Sequence, residues 1–153
     1  MNFKRLLNIF GVKKMMQQVS VNYLAVLAAA IASMVVGFIW YGPLFGKQYM
    51  ALMNFDKKKI QEAKKKGMGK QYTITFLTSL IMGYVIAYFV DYAQASTIAE
   101  GVVLGFWLWI GFFATTQLGI VLWEGKPLKL YVIKTLNELV TLAVMAAIIA
   151  VWA

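Results

Sequence analysis

Apolar residues run in four long blocks along the chain, Val21 to Tyr41, Tyr72 to Val90, Gly101 to Trp123 and Leu128 to Ala153. Each block can cross a bilayer, because about 20 helical residues rising about 1.5 Å apiece cover roughly 30 Å of hydrocarbon. Small residues recur inside the blocks at every fourth position: Ala29, Ser33 and Gly37; Ser79, Gly83 and Ala87; Gly111, Thr115 and Gly119; Ala143 with Ala147, and Ala146 with Ala150. Lipid tails give helices no hydrophobic reason to associate, so close backbone approach at such stripes has to hold them together. The pattern predicts an all-α fold, an integral membrane four-helix bundle, and favours packing over a ligand path as the use of the stripes. Gly101 and Gly105 fall on another side of the third block, where they are expected to leave a second face for self-association.

Polar residues divide the rest. Residues 42–71 form a basic loop, in which Asn54 or Asp56 can cap a short helix running through Lys66 and ended by Gly67. Residues 1–18 mix Phe3, Leu6, Leu7, Ile9 and Phe10 with Lys4, Arg5, Lys13 and Lys14. They read either as an amphipathic helix on the membrane surface or as an unstructured extension before a functional start near Met15. The apolar run after Lys14 continues to Trp40 without the polar stretch that precedes cleavage, so it is expected to be a retained helix rather than a signal peptide.

Charge orients the blocks. The chain carries a net charge of +9. Ten basic residues fall in the two odd-numbered connections (Lys47, Lys57, Lys58, Lys59, Lys64, Lys65, Lys66, Lys70, Lys126 and Lys129), against four before the first block. Positively charged loops stay in the cytoplasm, so both termini are expected outside a cytoplasmic membrane, although the four N-terminal charges oppose that orientation. Trp40, Tyr41, Tyr72, Trp123 and Tyr131 then mark the cytoplasmic interface, and Tyr23, Tyr88, Tyr92 and Trp152 the outer one. The lysines at 47–70 are expected to meet anionic headgroups at about 1 kcal/mol each. Nucleic acid is not an expected partner, because the basic run is short and lacks interleaved aromatic residues.

Composition narrows the chemistry. With 61% hydrophobic and 14% charged residues there is no room for a soluble second domain. Cysteine and histidine are both absent, which removes thiolate nucleophiles, the usual zinc sites and histidine ligation of haem. No catalytic constellation, metal site or cofactor is expected.

One polar group lies within the membrane: Lys134, Asn137 and Glu138 in the fourth block, with Gln117 and Thr116 at similar depth in the third, Thr78 and Ser79 in the second and Ser33 in the first. An ionisable residue at membrane depth is costly enough to be a functional hypothesis. The preferred reading is a Lys134–Glu138 ion pair at i, i+4, with Asn137 and Gln117 bonding across helices. The sharper alternative is a vestibule open to the cytoplasm in which Glu138 exchanges a proton or binds a cation. A weaker echo links Trp40–Tyr41–Gly42–Pro43–Leu44 to Trp123–Glu124–Gly125–Lys126–Pro127–Leu128. Two hairpins related by an axis along the membrane normal would explain it, but Gly and Pro punctuating helix ends is the favoured account.

From about Val21 to the C-terminus the chain resembles the family of small membrane proteins catalogued as domain of unknown function 1761. The residues that carry the likeness are Trp40, Tyr41, Gly42, Pro43, Leu44, Phe45, Gly46 and Lys47, and the corner Glu124, Gly125, Lys126 and Pro127. The resemblance implies a four-span membrane domain with no assigned activity. A non-enzymatic, self-associating membrane component is the leading expectation, and a small transporter or channel built around Glu138 is the alternative.

Overall fold

The computed structural model describes residues 19–54 and 67–152, so the extension at 1–18 and most of the helix expected before Gly67 lie outside the described residues. Among the described residues there are four helices long and apolar enough to cross a membrane, Tyr23–Leu44, Gly69–Ala93, Ile98–Leu122 and Leu128–Val151. The protein is a multi-pass, all-α membrane bundle.

The first span is α1 (Tyr23–Ile39) continued by a π-helical segment, π1 (Trp40–Leu44). Asn22 starts it, its Oδ1 accepting from the amides of Leu24 and Ala25 at 3.1 and 3.2 Å. The same side chain donates from Nδ2 to the carbonyl of Trp152 at 3.1 Å, which puts the start of the first span beside the end of the fourth. Pro43 explains π1. It has no N–H for a bond four residues back and its ring would crowd that carbonyl, so the helix widens and the Phe45 amide reaches the Trp40 carbonyl, five back, at 2.9 Å. The chain then turns directly into α2 (Gly46–Leu52). Residues 42–44 and 46–52, expected as loop, are therefore helical, and the left-handed Asn54 (φ 51°) follows the end of α2, its amide bonding the Ala51 carbonyl at 3.2 Å.

The second span, α3 (Gly69–Ala93), ends at the left-handed Gln94. The third opens with a capping box: Thr97 Oγ1 accepts from the Glu100 amide at 3.2 Å, while Glu100 Oε2 accepts from the Thr97 amide at 3.0 Å. It runs as α4 (Ile98–Leu108), a second π segment π2 (Trp109–Ala114), and two short pieces, α5 (Thr115–Gln117) and α6 (Gly119–Leu122). Gly125, at φ 63°, turns the chain into the fourth span, α7 (Leu128–Val151).

Helix α7 is the hub. It packs along α4, α1 and α3, and α1 also packs on α3, while the second and third spans meet only slightly. The core is built from small and medium side chains such as Ala25, Ala29, Ile86, Leu142, Met145 and Ala146. Large apolar side chains, Leu24, Phe38, Ile81 and Trp107 among them, point outward, as expected where hydrocarbon is the solvent.

The stripes divide unevenly. Ser79, Gly83 and Ala87 are buried as expected. In the third span the reverse of the expectation holds. Gly101 and Gly105 are buried, and an added Cβ would lie 2.6 Å from the Ala146 carbonyl oxygen and 2.7 Å from the Ala143 backbone respectively. These glycines are the closest helix crossing and offer no free face for self-association. Gly111 instead has nothing near it and is exposed. A helix can present only one face to α7, and the passage from α4 into the wider turn of π2 carries Gly111 off the face that holds Gly101 and Gly105.

Candidate binding cavity

A cavity of about 710 Å³ lies between α1, α3 and α7, at the end of the bundle where π1 turns into α2. Its opening is set by the first span. Ala29 and Ser33 are buried at the helix contact, but Gly37 and Gly42 have nothing within 4 Å of an added Cβ, and the missing side chains leave room. The walls run from Gly42 and Tyr72 down to Ser33, Met82 and Thr141. Ten residues of α3 separate Tyr72 from Met82, so the cavity reaches about 15 Å along the helix.

The lining is mostly apolar, with polar groups at named points. Ser33 Oγ donates to the Ala30 carbonyl at 2.7 Å, Thr75 Oγ1 to Gln71 at 2.8 Å and Thr78 Oγ1 to Thr75 at 2.9 Å. These hydroxyls spend their protons on their own helices and keep lone pairs for anything that enters. Asn137 is only 6% exposed, and its Nδ2 has no hydrogen-bond partner. Glu138, half-buried beside it, is the one carboxylate in the lining.

The expected polar layer is thus partly assembled. The structure brings together Glu138, Asn137, Ser33, Thr78 and Ser79. Lys134 is a turn away and does not line the cavity; its charge acts on Glu138, but no contact within salt-bridge distance joins the two. Nor does Asn137 bond to Gln117, whose Oε1 is also buried without a partner. Thr116 is exposed and gives its hydroxyl proton to the Phe112 carbonyl. Thr115–Gln117 packs on π2 and α6, and neither Thr116 nor Gln117 lines the cavity. Thr75, Thr141, Tyr41 and Tyr72 line the cavity without having been singled out for it. Thr141 is legible from the sequence, one turn beyond Asn137, whereas Tyr41 and Tyr72 stand in it as interface markers, Tyr41 also within the family motif.

Two tryptophans hold the wall. Trp40 Nε1 donates to the Ile133 carbonyl at 3.0 Å, and its ring lies 4.8 Å from Phe45. Tyr41 meets Tyr49 edge-on at 4.8 Å, so α2 folds back over the mouth. On the far side Trp109 Nε1 donates to the Thr135 carbonyl at 2.6 Å and to its Oγ1 at 2.9 Å. Each indole stands at the first residue of a π segment and latches it onto α7. Trp123, the match suggested by sequence, is 89% exposed, so the echo of Trp40 at 123 has no structural counterpart. Glu124, Gly125 and Pro127 form the corner into α7, where the Leu130 amide bonds the Pro127 carbonyl at 2.9 Å.

The model of the family described as Protein of unknown function (DUF1761) matches residues 24–150, a stretch that includes π1, the cavity and the Gly125 corner. The chain belongs to the DUF1761 family. No curated protein and no solved structure matches it. Within this DUF1761 member the family-motif residues Trp40 to Pro43 are those that build π1, and Tyr41 and Gly42 form part of the cavity wall. Among the described residues no group of three acidic, histidine or cysteine side chains could hold a metal ion.

Proposed function

We propose that this DUF1761 protein is a non-enzymatic component of the cytoplasmic membrane that takes up a proton or a small cation at Glu138. One observation carries the reading: a cavity runs from the helix ends near Tyr72 and Gly42 to a carboxylate within the span. A carboxylate at that depth is costly unless it is paired or used, and Lys134, though close enough for its charge to act on Glu138, stands outside the cavity that Glu138 lines. The lysines at the same end of the bundle support a cytoplasmic mouth, with headgroup contacts around it and both termini outside.

The test is cation uptake or proton release in proteoliposomes. Glu138→Gln is expected to lower flux at least about tenfold while thermal stability and oligomer size stay as in the parent, and Glu138→Asp to retain part of it. Undiminished flux in Glu138→Gln, or no Glu138-dependent flux in the parent, defeats the proposal.

A second reading, self-association, is supported by the third span, which packs on little besides α7 and leaves Gly111, Thr115 and Trp107 uncovered. Cross-linking at Gly111→Cys that yields a defined oligomer in lipid is its expected sign, and a monomer at all concentrations removes it.

A further inference from the structure

We infer that the occupant of this cavity is a lipophilic amine in its protonated form, an apolar body carrying one N–H-bearing positive charge, with Glu138 as its counter-ion. The inference deepens the cation-handling reading and rests on it. Charge comes first: among the described residues of the lining Glu138 is the only carboxylate or ammonium, and Lys134, whose charge acts on Glu138, stands outside the cavity. Hydrogen bonding comes second. The hydroxyls of Ser33, Thr75 and Thr78 are spent as donors, so these three offer acceptor lone pairs to an ammonium N–H, while the unpartnered Asn137 Nδ2 is a donor toward Glu138 or another acceptor.

Apolar surface comes third. Phe38 and Phe113, with Met34 and Met82, surround those acceptors, and a cation with a hydrocarbon body can use ring faces and thioethers that a hydrated ion cannot. The volume of about 710 Å³ falls within the range of drug-sized ligand sites. A hard metal ion fits poorly, since calcium takes about 6–8 oxygen ligands and magnesium an octahedron, against a single carboxylate here.

The experiment uses the full chain in detergent micelles and equilibrium dialysis with diphenhydramine, its quaternary N-methyl analogue and a neutral analogue lacking the amine. Saturable binding of diphenhydramine is expected, with the neutral analogue and the Glu138→Gln variant each weaker by about tenfold or more and the quaternary analogue weaker by a smaller factor. Thr78→Val, at an exposed position away from the core, is expected to weaken binding about threefold and keeps the test open should Glu138→Gln fail to fold. Equal binding of the neutral analogue, or unchanged affinity in both variants, overturns the inference. If the amine fails to bind while Glu138-dependent proton or inorganic-cation flux persists, the amine is excluded and the cation-handling reading stands. Loss of both the flux and the binding excludes both.

Discussion

At Gly105 one methyl group decides whether two helices can meet. An added Cβ would sit 2.7 Å from the Ala143 Cα and backbone nitrogen, with no flexible side chain to yield. Gly105→Val is therefore expected to destabilise by about 3 kcal/mol or more, at or beyond the upper end of ordinary overpacking. Gly111→Val, six residues on and facing open space, should stay within about 0.5 kcal/mol. Unfolding of both variants in mixed micelles compares them, and equal losses would show that α4 does not approach α7 at Gly105. Trp109→Phe keeps the ring but removes its bond to Thr135, and an interhelical bond of this kind in a membrane contributes about 0.6 to 1.7 kcal/mol. The same assay with no change for Trp109→Phe would deny the latch. Neither contrast could be read from residue type, because both glycines occur in small-residue stripes of the same spacing and five tryptophans are spread along the chain.

Single elements were legible to different degrees. The spans follow from apolar length, and the helices extend the blocks by a few residues where polar ends such as Gly69, Lys70 and Gln71 continue the hydrogen-bond ladder. The capping box stands in the sequence as Thr97–Ile98–Ala99–Glu100, just before the third apolar block. Thr97→Val should lower stability by about 1 kcal/mol and speed hydrogen exchange of the Glu100 amide. Unchanged exchange at that amide would mean that the cap does not hold the helix start. The π segments were not legible as such. Pro43 signals a disturbance, but whether a helix ends or widens there depends on whether the chain beyond can pack. Here Phe45 and Tyr49 pack back on Trp40 and Tyr41. Gly46 permits that return, since a Cβ would lie 2.5 Å from the Tyr41 carbonyl oxygen. Gly46→Ala should displace Tyr41 from the cavity wall and raise exchange of the Phe45 amide.

At the scale of the whole molecule the cavity exists because α1, α3 and α7 meet closely around Ser33, Ser79 and Ala146 and leave a gap toward Gly37 and Gly42. The absence of cysteine makes its openness directly testable. Thr78→Cys and Thr141→Cys should react with a membrane-impermeant thiol reagent added on the lysine-bearing side, and Ala146→Cys, in the core, should not. Protection of Thr78→Cys and Thr141→Cys to the same degree as Ala146→Cys would show that water does not enter. Half of the candidate site was visible beforehand, since Glu138, Asn137, Thr78, Ser79 and Ser33 stand out as polar groups inside apolar blocks. Lys134, Gln117 and Thr116 share that appearance and lie elsewhere, because depth along a helix can be counted from its ends but rotation about its axis cannot.

The chain alone determined four crossings, their approximate limits and the corners at Pro43 and Gly125, because hydropathy, length and turn chemistry are properties of neighbouring residues. Tertiary structure decided that Gly101 and Gly105, not Gly111 and Gly119, meet α7, that Trp109 and not Trp123 is the counterpart of Trp40, and that Glu138 faces an open space instead of Lys134. All three depend on the angular phase of one helix against another. That phase is set by the joint packing of residues far apart in the chain, and π2 shifts it again below Trp109 by widening the turn beyond a regular α-helical repeat.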